Sequence, residues 1–501
     1  MSPCVKPKGE KAMINIGKSR ECFFDNYLID TMRTTAEARI HRPQRRELVF
    51  KNDAPWEGCG SDFHNFFYDE EYGKYRMYYL GWKMDEYSKG SDGIRVCYME
   101  STDGIRWERP SLGLVEYNGS KDNNIILTSQ MSPRLDNFMV FKDTNPDCPQ
   151  EEKYKAIMRK VLSGDPKEIL CDFALRCMVS PDGVHFTDKC NIHEHGAYDS
   201  LNVAFWDESV KKYRCYFRGN HKEGDRTVDA RMGLEVRDVR YMESEDFENW
   251  TKPVIIDFED GGDYPLYTNV CQNYYRAPQC IIGFPTRYVA RKCWSKCYDE
   301  LCGKEKRLKR MEGGEDRYGL SVTDCMFMVS RNGSTFTKYD EAIMTPGAEF
   351  GQNWVYGDCY PARGMIETPS DIPGADNEIS IFSGDNHWMG LDYGKDMYRY
   401  TFRLDGFVSR HAGAVEKTVV TKPFIYDGSD MYANLSTSAR GYIYFTIKSA
   451  DGDVVESCEM FGDSADKKIG FEDGDIARLC GKEVVLEMRM LDADIYAIRF
   501  Q

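Results

Sequence analysis

The stretch Ser101-Thr-Asp103-Gly104-Ile-Arg-Trp107 decides the fold, because its pattern returns three more times along the chain. The further copies are Ser180-Pro-Asp182-Gly183-Val-His-Phe186, Ser244-Glu-Asp246-Phe-Glu-Asn-Trp250 and Ser330-Arg-Asn332-Gly333-Ser-Thr-Phe336. Each copy predicts a strand end, a tight turn in which glycine permits a positive φ, and an aromatic side chain that packs inward. The repeat therefore indicates a small β-unit that is built several times.

A second repeat, an acidic turn followed by Lys-Tyr, precedes the first three copies at residues 69–78, 151–155 and 207–216. Strand, hairpin, strand and a last strand leading into the Ser-x-Asp-Gly turn is the plan of a four-stranded propeller blade. A fifth unit of similar spacing covers residues 354–408, and helical periodicity is almost absent. We therefore predict an all-β chain with a five-bladed β-propeller.

The strand pattern changes near residue 415, where short alternating strands separated by Asp-Gly turns begin. This pattern is typical of a β-sandwich. We expect a propeller over residues 1–414 and a C-terminal β-sandwich over residues 415–501. Residues 286–318 are rich in Lys, Arg and Cys and interrupt the blade spacing. They predict a part-helical insertion that covers the propeller face or a partner in a homo-oligomer.

Composition excludes several classes of partner. The 501 residues include 66 Lys and Arg against 82 Asp and Glu, a formal net charge of −16. This balance argues against nucleic acid, whose phosphates require clustered basic residues. No apolar run approaches the roughly 20 residues that a membrane-spanning helix needs. The N-terminal residues show no secretory signal, so we expect a cytoplasmic protein whose 18 cysteines are reduced.

No cofactor or metal is expected from the motifs. The sequence has no P-loop, no G-x-G-x-x-G and no G-x-S-x-G, which argues against nucleotide chemistry and serine hydrolysis. Cys293, Cys297 and Cys302 lack a second Cys or His pair at zinc-finger spacing.

Three aspartates occupy matched places in successive blades. Asp62 and Asp136 each lie seven residues before the acid of the next hairpin, and Asp199 lies eight residues before its own. Side chains at the starts of the innermost strands converge on the centre of a propeller. Glycoside hydrolysis usually needs two carboxyl groups across the glycosidic bond, so the three predict a shared site. The alternative is that each aspartate forms a turn or caps a strand.

The two repeats and the terminal sandwich together resemble five-bladed propeller glycosidases, above all glycoside hydrolase family 32 and its relatives in families 43 and 68. The signature motifs of family 32 are not matched. The resemblance implies that blade one supplies a nucleophile or base, here Asp62, and that blade two supplies an orienting aspartate, here Asp136. It implies a general acid from blade three, here Asp199, with Glu367 of blade five as the alternative.

Further residues near the predicted strand starts are candidates for substrate binding. They share an aromatic, cationic or polar side chain suited to a sugar. These candidates are Arg42, Trp56, His64, Tyr198, Tyr267, Arg276, Arg287, Trp354 and Asp358. For each of them, ordinary strand packing or a surface ion pair is the alternative.

The sequence therefore predicts a glycoside hydrolase that acts on a small oligosaccharide or glycoside, with furanosides among the candidates. One alternative is a carbohydrate-binding or scaffold propeller without catalysis, because fold alone does not fix function. A phosphorylase or a lyase is another. Phosphorolysis would require several Arg, Lys or His side chains in the pocket beside a single acid.

Overall fold

The computed structural model describes residues 13–83, 86, 93–132, 135–163, 172–229, 235–312, 316–351, 353–385, 387, 394–472 and 475–501. The chain divides into two compact units. One unit comprises Arg42–Pro369 and Asn377–Phe402, and the other comprises Met1–His41, Ser370–Asp376 and Arg403–Gln501. Segments from both ends of the chain thus belong to the second unit, whereas the strand pattern of the sequence changes near residue 415.

The strands of the two units follow one another along the chain in three groups. Four strands come first: β1 (Ile14–Gly17), β2 (Glu21–Cys22), β3 (Glu37–Ile40) and β4 (Gln44–Lys51). The blade strands are β5 (Asp62–Asp69), β6 (Lys74–Trp82), β7 (Ile94–Ser101), β8 (Ile125–Thr128), β9 (Met139–Lys142), β10 (Tyr154–Ser163), β11 (Asp172–Ser180), β12 (Thr187–Glu194), β13 (Val203–Asp207), β14 (Lys212–Lys222), β15 (Asp225–Asp229), β16 (Glu235–Ser244), β17 (Val254–Ile255), β18 (Asp257–Phe258), β19 (Gln272–Tyr274), β20 (Ala277–Gly283), β21 (Thr286–Ala290), β22 (Ser321–Ser330), β23 (Thr335–Met344), β24 (Ile366–Thr368), β25 (Glu378–Asp385) and β26 (Asp396–Arg403). The last group is β27 (Val408–Ala412), β28 (Lys417–Val420), β29 (Phe424–Tyr426), β30 (Met431–Ser449), β31 (Val454–Glu456), β32 (Asp463–Lys468) and β33 (Val484–Phe500).

Helices are short among the described residues. The insertion between β21 and β22 contains α1 (Lys296–Glu300), α2 (Lys304–Met311) and α3 (Arg317–Leu320). Single 3-10 turns cover Gln150–Glu152 and Ile476–Leu479. The insertion was predicted over residues 286–318, and Thr286–Ala290 of that range form strand β21. None of the helices in the described part of the chain has the length and apolar character that crossing a membrane requires.

The propeller has five blades, as the repeats predict. The sheets run β5-β6-β7-β8, β9-β10-β11-β12 and β13-β14-β16-β17 in blades one to three, with β19, β20, β22 and β23 in blade four. Blade five is β24-β25-β26-β4, so its outermost strand comes from the N-terminal side of blade one. Pairing of Asp396 with Lys51 and of Met397 with Phe50 closes the ring.

The Ser-x-Asp-Gly repeat forms the turn that its residues predict. In the first copy, the Asp103 carboxylate accepts hydrogen bonds from the amides of Ile105 and Arg106, each at 2.8 Å. The Ser101 hydroxyl accepts one from the Gly104 amide at 2.9 Å. Gly104 has a φ of 73°, which glycine adopts without the clash that a Cβ would cause. The other three copies repeat these contacts.

The strands that follow the Lys-Tyr repeat connect neighbouring blades, because their Arg and Tyr side chains donate hydrogen bonds to the Ser-x-Asp-Gly turn of the next blade. Arg76 and Tyr78 of blade one donate to the carbonyls of Asp182 (2.5 Å) and Gly183 (2.8 Å) in the turn of blade two. Arg214 and Tyr216 of blade three donate in the same way to the corresponding turn of blade four. Both arginines also pair with the hairpin acids of their own blades. The hairpin acids therefore stabilise the fold.

Each unit has its own apolar core. Blades one and five pack face to face through Phe66, Tyr79, Phe382 and Met397, which are fully or almost fully buried. The second unit is a ten-stranded sheet in which the long strands β30 and β33 pair along most of their length. Their inward side chains enclose one buried cluster, as expected for the C-terminal β-sandwich. Cys97, Cys177, Cys215 and Cys325 are free thiols that are buried in the blades.

Candidate active site

In every blade, a residue in the left-handed region lies at the start of the innermost strand or within seven residues before it. These residues are Phe63, Asn137, Tyr198, Val270 and Cys359, with φ between 46° and 62°. Non-glycine residues enter this region at a cost of about 1 kcal/mol, so the bend re-aims the chain at each strand start. An aspartate adjoins the bend in four blades: Asp62, Asp136, Asp199 and Asp358. Because the innermost strands run in the same direction, these carboxylates lie at the same end of the propeller.

Asp62 is held by two basic side chains from blade five. The Lys395 ammonium donates to its Oδ1 at 2.7 Å, and Nδ1 of His387 lies 3.3 Å from its Oδ2. Lys395 is fully buried and Asp62 is 4% exposed. Burial, with Lys395 and Arg310 nearby, holds the pKa of His387 well below its usual value. Asp62 is therefore paired with one cation and one neutral imidazole at neutral pH.

Gly357 is needed beside His387. It has a φ of 102°, and a Cβ there would lie 1.9 Å from the imidazole Cδ2. No rotation of an alanine methyl group avoids that contact, since the Cβ position is fixed by the backbone. The close approach of the Gly357 backbone to the ring holds His387 against Asp62.

Asp136 and Asp199, which together with Asp62 are called the aspartate trio, are paired with arginines of their own blades. Arg159 lies 2.7 Å from Asp136 in blade two, and Arg218 donates to Asp199 at 2.9 Å in blade three. Burial favours the neutral form of Asp199, but Arg218, Arg159 and further arginines outweigh it and lower the pKa. About a third of the Asp199 side chain is exposed, so this carboxylate is open to a ligand.

Three tyrosines connect the Asp199 side of the site with the Asp62 side. The hydroxyls of Tyr356 and Tyr267 lie 2.5 Å apart. The ring of Tyr267 stacks on that of Tyr360 with centroids 5.2 Å apart, and Tyr360 lies 5.6 Å from the His387 ring. Aromatic faces beside a few fixed polar groups are the usual lining of a small-ligand pocket.

The insertion contacts blade five and Tyr356. Arg307 of α2 donates to the Trp354 carbonyl of blade five at 2.8 Å, and Arg310 donates to the His387 carbonyl at 2.9 Å. Tyr318 of α3 packs against Tyr356 with ring centroids 5.3 Å apart. These contacts place the insertion against blade five of its own chain.

The structure brings Asp62, Asp136, Asp199, Tyr267 and Asp358 into one region, and Trp354 lies at its edge. Trp354 donates to the Gly347 carbonyl, and its own carbonyl accepts from Arg307. The remaining predicted site residues have other contacts.

Four of those residues serve blade packing. His64 stacks on Tyr79 with ring centroids 5.0 Å apart, and the Trp56 indole donates to Asn124. The Tyr198 hydroxyl contacts His193, and Arg42 donates to the Ala342 carbonyl. Arg287 is paired with Asp324 on blade four.

Glu367 and Arg276 lie at the opposite end of the innermost strands. Arg276 is in the hairpin between β19 and β20, which ends the innermost strand of blade four. Tyr275 of the same hairpin donates to Glu367 at 2.8 Å, and Asn377 donates to it at 2.9 Å. The structure therefore does not bring Glu367 to the aspartate trio.

The basic partners of the trio were missed, although a signal was present. Arg159 and Arg218 each follow the Lys-Tyr of the second repeat, five residues after Tyr154 and Tyr213. In blade one the same position is Leu80, and the cation instead comes from Lys395, which is distant in sequence. Extending the repeat by five residues would have found the two arginines but not Lys395 or His387. In the described residues, no group of His, Cys, Asp and Glu is placed to hold a metal.

Asp358 makes the stability of the folded protein depend on pH. Burial raises the pKa of its carboxyl to about 7, although the Val355 amide donates to Oδ2 at 2.9 Å. Between about pH 4 and pH 7 the folded protein holds a proton there that the unfolded chain releases. Stability is therefore greater at the acidic end of this window and falls as pH rises through it.

We expect Asp358→Asn to remove this part of the pH dependence. In the wild type the contribution falls by about 1 kcal/mol per pH unit across the window. Urea midpoints at about pH 5 and about pH 7.5 measure it. Asp188→Asn, on the outermost strand of blade two, is the matched control. An unchanged difference between the two midpoints in Asp358→Asn would contradict the assignment.

The chain is similar in fold to solved carbohydrate-active proteins. A glycoside hydrolase family 43 arabinoxylan arabinofuranohydrolase from Bacillus subtilis, solved with cellotetraose, shares 12% identity and a TM-score of 0.42, covering 90% of this chain and 97% of its own. A family 32 beta-fructofuranosidase from Bombyx mori shares 11% identity and a TM-score of 0.37, with coverages of 92% and 94%.

A third structure represents the family 130 of mannoside phosphorylases, which contains glycoside hydrolases that target beta-1,2 mannosidic linkages in Candida mannan. It shares 14% identity and a TM-score of 0.42, and covers 73% of this chain and 94% of its own. At such identities the likeness concerns the fold alone. No protein-family profile and no curated protein matches the sequence.

Proposed function

We propose that this protein cleaves the glycosidic bond of a small oligosaccharide or glycoside in the pocket at the strand starts. What supports the proposal is that Asp62, Asp136 and Asp199 each adjoin a left-handed residue near the start of the innermost strand, in three successive blades. The stacked rings of Tyr267 and Tyr360 lie on the same side of the propeller. Carboxylates placed around one pocket supply the charges that glycoside hydrolysis needs. The tyrosine rings supply surface for a sugar.

Asp62 is proposed as the nucleophile or general base. The Lys395 ammonium holds its carboxyl group in place at 2.7 Å, and a carboxylate at this position attacks the anomeric carbon or takes a proton from water. Asp136 is proposed as the orienting carboxylate, because Arg159 fixes it from the side.

Asp199 is proposed as the general acid, since it is the exposed carboxylate of the trio. It must carry a proton before the bond breaks, whereas the arginines around it favour its charged form. The proposal therefore requires that bound substrate offsets their charge. Glu367 is not retained for this role, because its partners are at the other end of the strands.

The test is a screen of chromogenic glycosides and of plant and microbial oligosaccharides with the purified wild-type chain. We expect release of a sugar from at least one of them and none from Asp62→Asn. Saturable binding of a sugar without cleavage would overturn the enzymatic proposal in favour of a binding protein. Equal release by the variant would overturn the role of Asp62.

A further inference from the structure

Arginines accumulate around Asp199. Arg218 donates to its carboxylate at 2.9 Å and to the Tyr267 carbonyl at 2.5 Å. The Tyr267 ring has two guanidinium groups above it, Arg218 at 4.6 Å and Arg237 at 5.8 Å from the centroid. Two tyrosines lead from Tyr267 to Arg317, which donates to the Tyr318 hydroxyl at 2.7 Å.

Arg159 completes the group from blade two, because it is the partner of the adjacent Asp136. We call Arg159, Arg218, Arg237 and Arg317 the arginine cluster. All four are close enough to favour the charged form of Asp199. Arg159, Arg218 and Arg237 thus lie around the carboxylates of Asp136 and Asp199, in a chain whose formal net charge is −16.

The cluster also has unused donors. Arg237 contacts the rings of Tyr267 and Tyr288 and is not ion-paired with any carboxylate among the described residues. Nε of Arg159 and Nε of Arg218 are buried and lack an acceptor within the same described part. The Arg237 guanidinium is therefore available to donate hydrogen bonds to the acceptor oxygens of a ligand.

We propose that the arginine cluster binds an anionic oxygen group of the substrate or co-substrate, a sugar carboxylate or a phosphate, beside the bond that is cleaved. The planar guanidinium fork matches the oxygens of both groups. A neutral sugar would leave the Arg237 guanidinium without a carboxylate or other anion beside it among the described residues. The inference rests on the proposed function for the position of the bond, but the binding itself does not depend on catalysis.

The bound anion also explains how Asp199 can carry a proton although the arginines around it favour its charged form. A negative group among the arginines offsets the charge that keeps Asp199 ionised, so its affinity for a proton rises. Asp199 then takes a proton from solvent and passes it to the glycosidic oxygen as the C–O bond breaks. Water, or phosphate if that is the bound anion, forms the new bond to the anomeric carbon.

Isothermal titration with sodium phosphate, D-glucuronate, D-galacturonate and methyl glucoside tests the proposal. We expect saturable binding of at least one anion and at least tenfold weaker binding of it by Arg237→Gln and by Arg317→Gln. Arg317 is exposed, so its variant keeps the test valid if Arg237→Gln fails to fold. Arg106→Gln, on an exposed turn away from the pocket, should bind as the wild type does.

Turnover assays distinguish the two possible anions, a phosphate co-substrate and a carboxylate on the sugar. Cleavage that requires phosphate and yields a sugar phosphate identifies phosphate as co-substrate. Cleavage of uronides without phosphate identifies a carboxylate on the sugar. The proposal is overturned if no anion binds, or if both variants bind the anion as tightly as the wild type. Anion binding without cleavage of any glycoside would instead reject the proposed function alone.

Discussion

Asp62→Asn is expected to lower turnover by about a thousandfold or more and to destabilise the fold as well. The loss of turnover follows from the proposed role, since a positioned base contributes roughly 10²–10⁴ to the rate. The loss of stability follows from Lys395, which is fully buried and pairs with Asp62. Removing one partner of a buried ion pair costs about 3–5 kcal/mol, because the other charge is left uncompensated.

A second substitution separates the two effects. In Asp62→Asn with Lys395→Met, the uncompensated ammonium is gone, so we expect most of the stability to return while turnover stays lost. Thermal denaturation and initial rates on the best substrate of the screen measure the two quantities. Asp188→Asn, which removes an ion-paired carboxylate on the outer strand of blade two, is the control. Recovery of turnover in the double variant would show that Asp62 has only a structural role.

The five-bladed architecture was predictable because each blade carries its own local signals. Turns such as Ser101–Trp107 are made by residues a few positions apart, and their hydrogen bonds follow from residue type alone. The closure of blade five was not predictable in this way. β4 pairs with β26 across more than 300 residues of chain. No local pattern in Gln44–Lys51 indicates which strand it pairs with.

The same distinction applies to the candidate site: local repeats predict some of its residues, and closure of the ring brings in the others. The aspartates recur at matched offsets, so the repeat places them at the strand starts. Lys395 and His387 approach Asp62 only because blades one and five are neighbours in the closed ring. His64, two residues after Asp62, was expected in the pocket by strand alternation. The left-handed bend at Phe63 breaks that alternation, and His64 instead packs on Tyr79.

The net charge of the chain argues against nucleic acid as a partner, but it does not predict the local charge of the candidate site. An excess of acids over the whole chain is compatible with a local excess of arginines, since exposed charges farther apart than about 10 Å are largely screened at moderate salt. The arginine cluster lies on segments from blades two and three and from the insertion. Only the fold brings these segments together, so composition could not reveal them.

Arg307→Met is expected to release the insertion from the pocket without unfolding the propeller. Arg307 is 1% exposed and donates to the carbonyls of Trp354, Gly319 and Cys302 at 2.8, 3.2 and 3.4 Å. Methionine fills a similar volume but donates nothing, so three carbonyls lose a charged donor. At about 1 kcal/mol for each lost bond, the insertion is destabilised by about 3 kcal/mol.

The effect should be local, because the blades have their own cores and Arg307 contacts blade five through one carbonyl. Hydrogen exchange of α1 and α2 should accelerate by about a hundredfold, as a loss of roughly 3 kcal/mol implies. KM should rise, since Arg310 and Arg317 lose their fixed positions, while the blade strands keep their protection. Lys309→Met, an exposed change on the same helix, is the control. Unchanged exchange and KM in Arg307→Met would mean that the insertion is held on the propeller by other contacts, and a general rise in exchange would mean that it supports the whole ring.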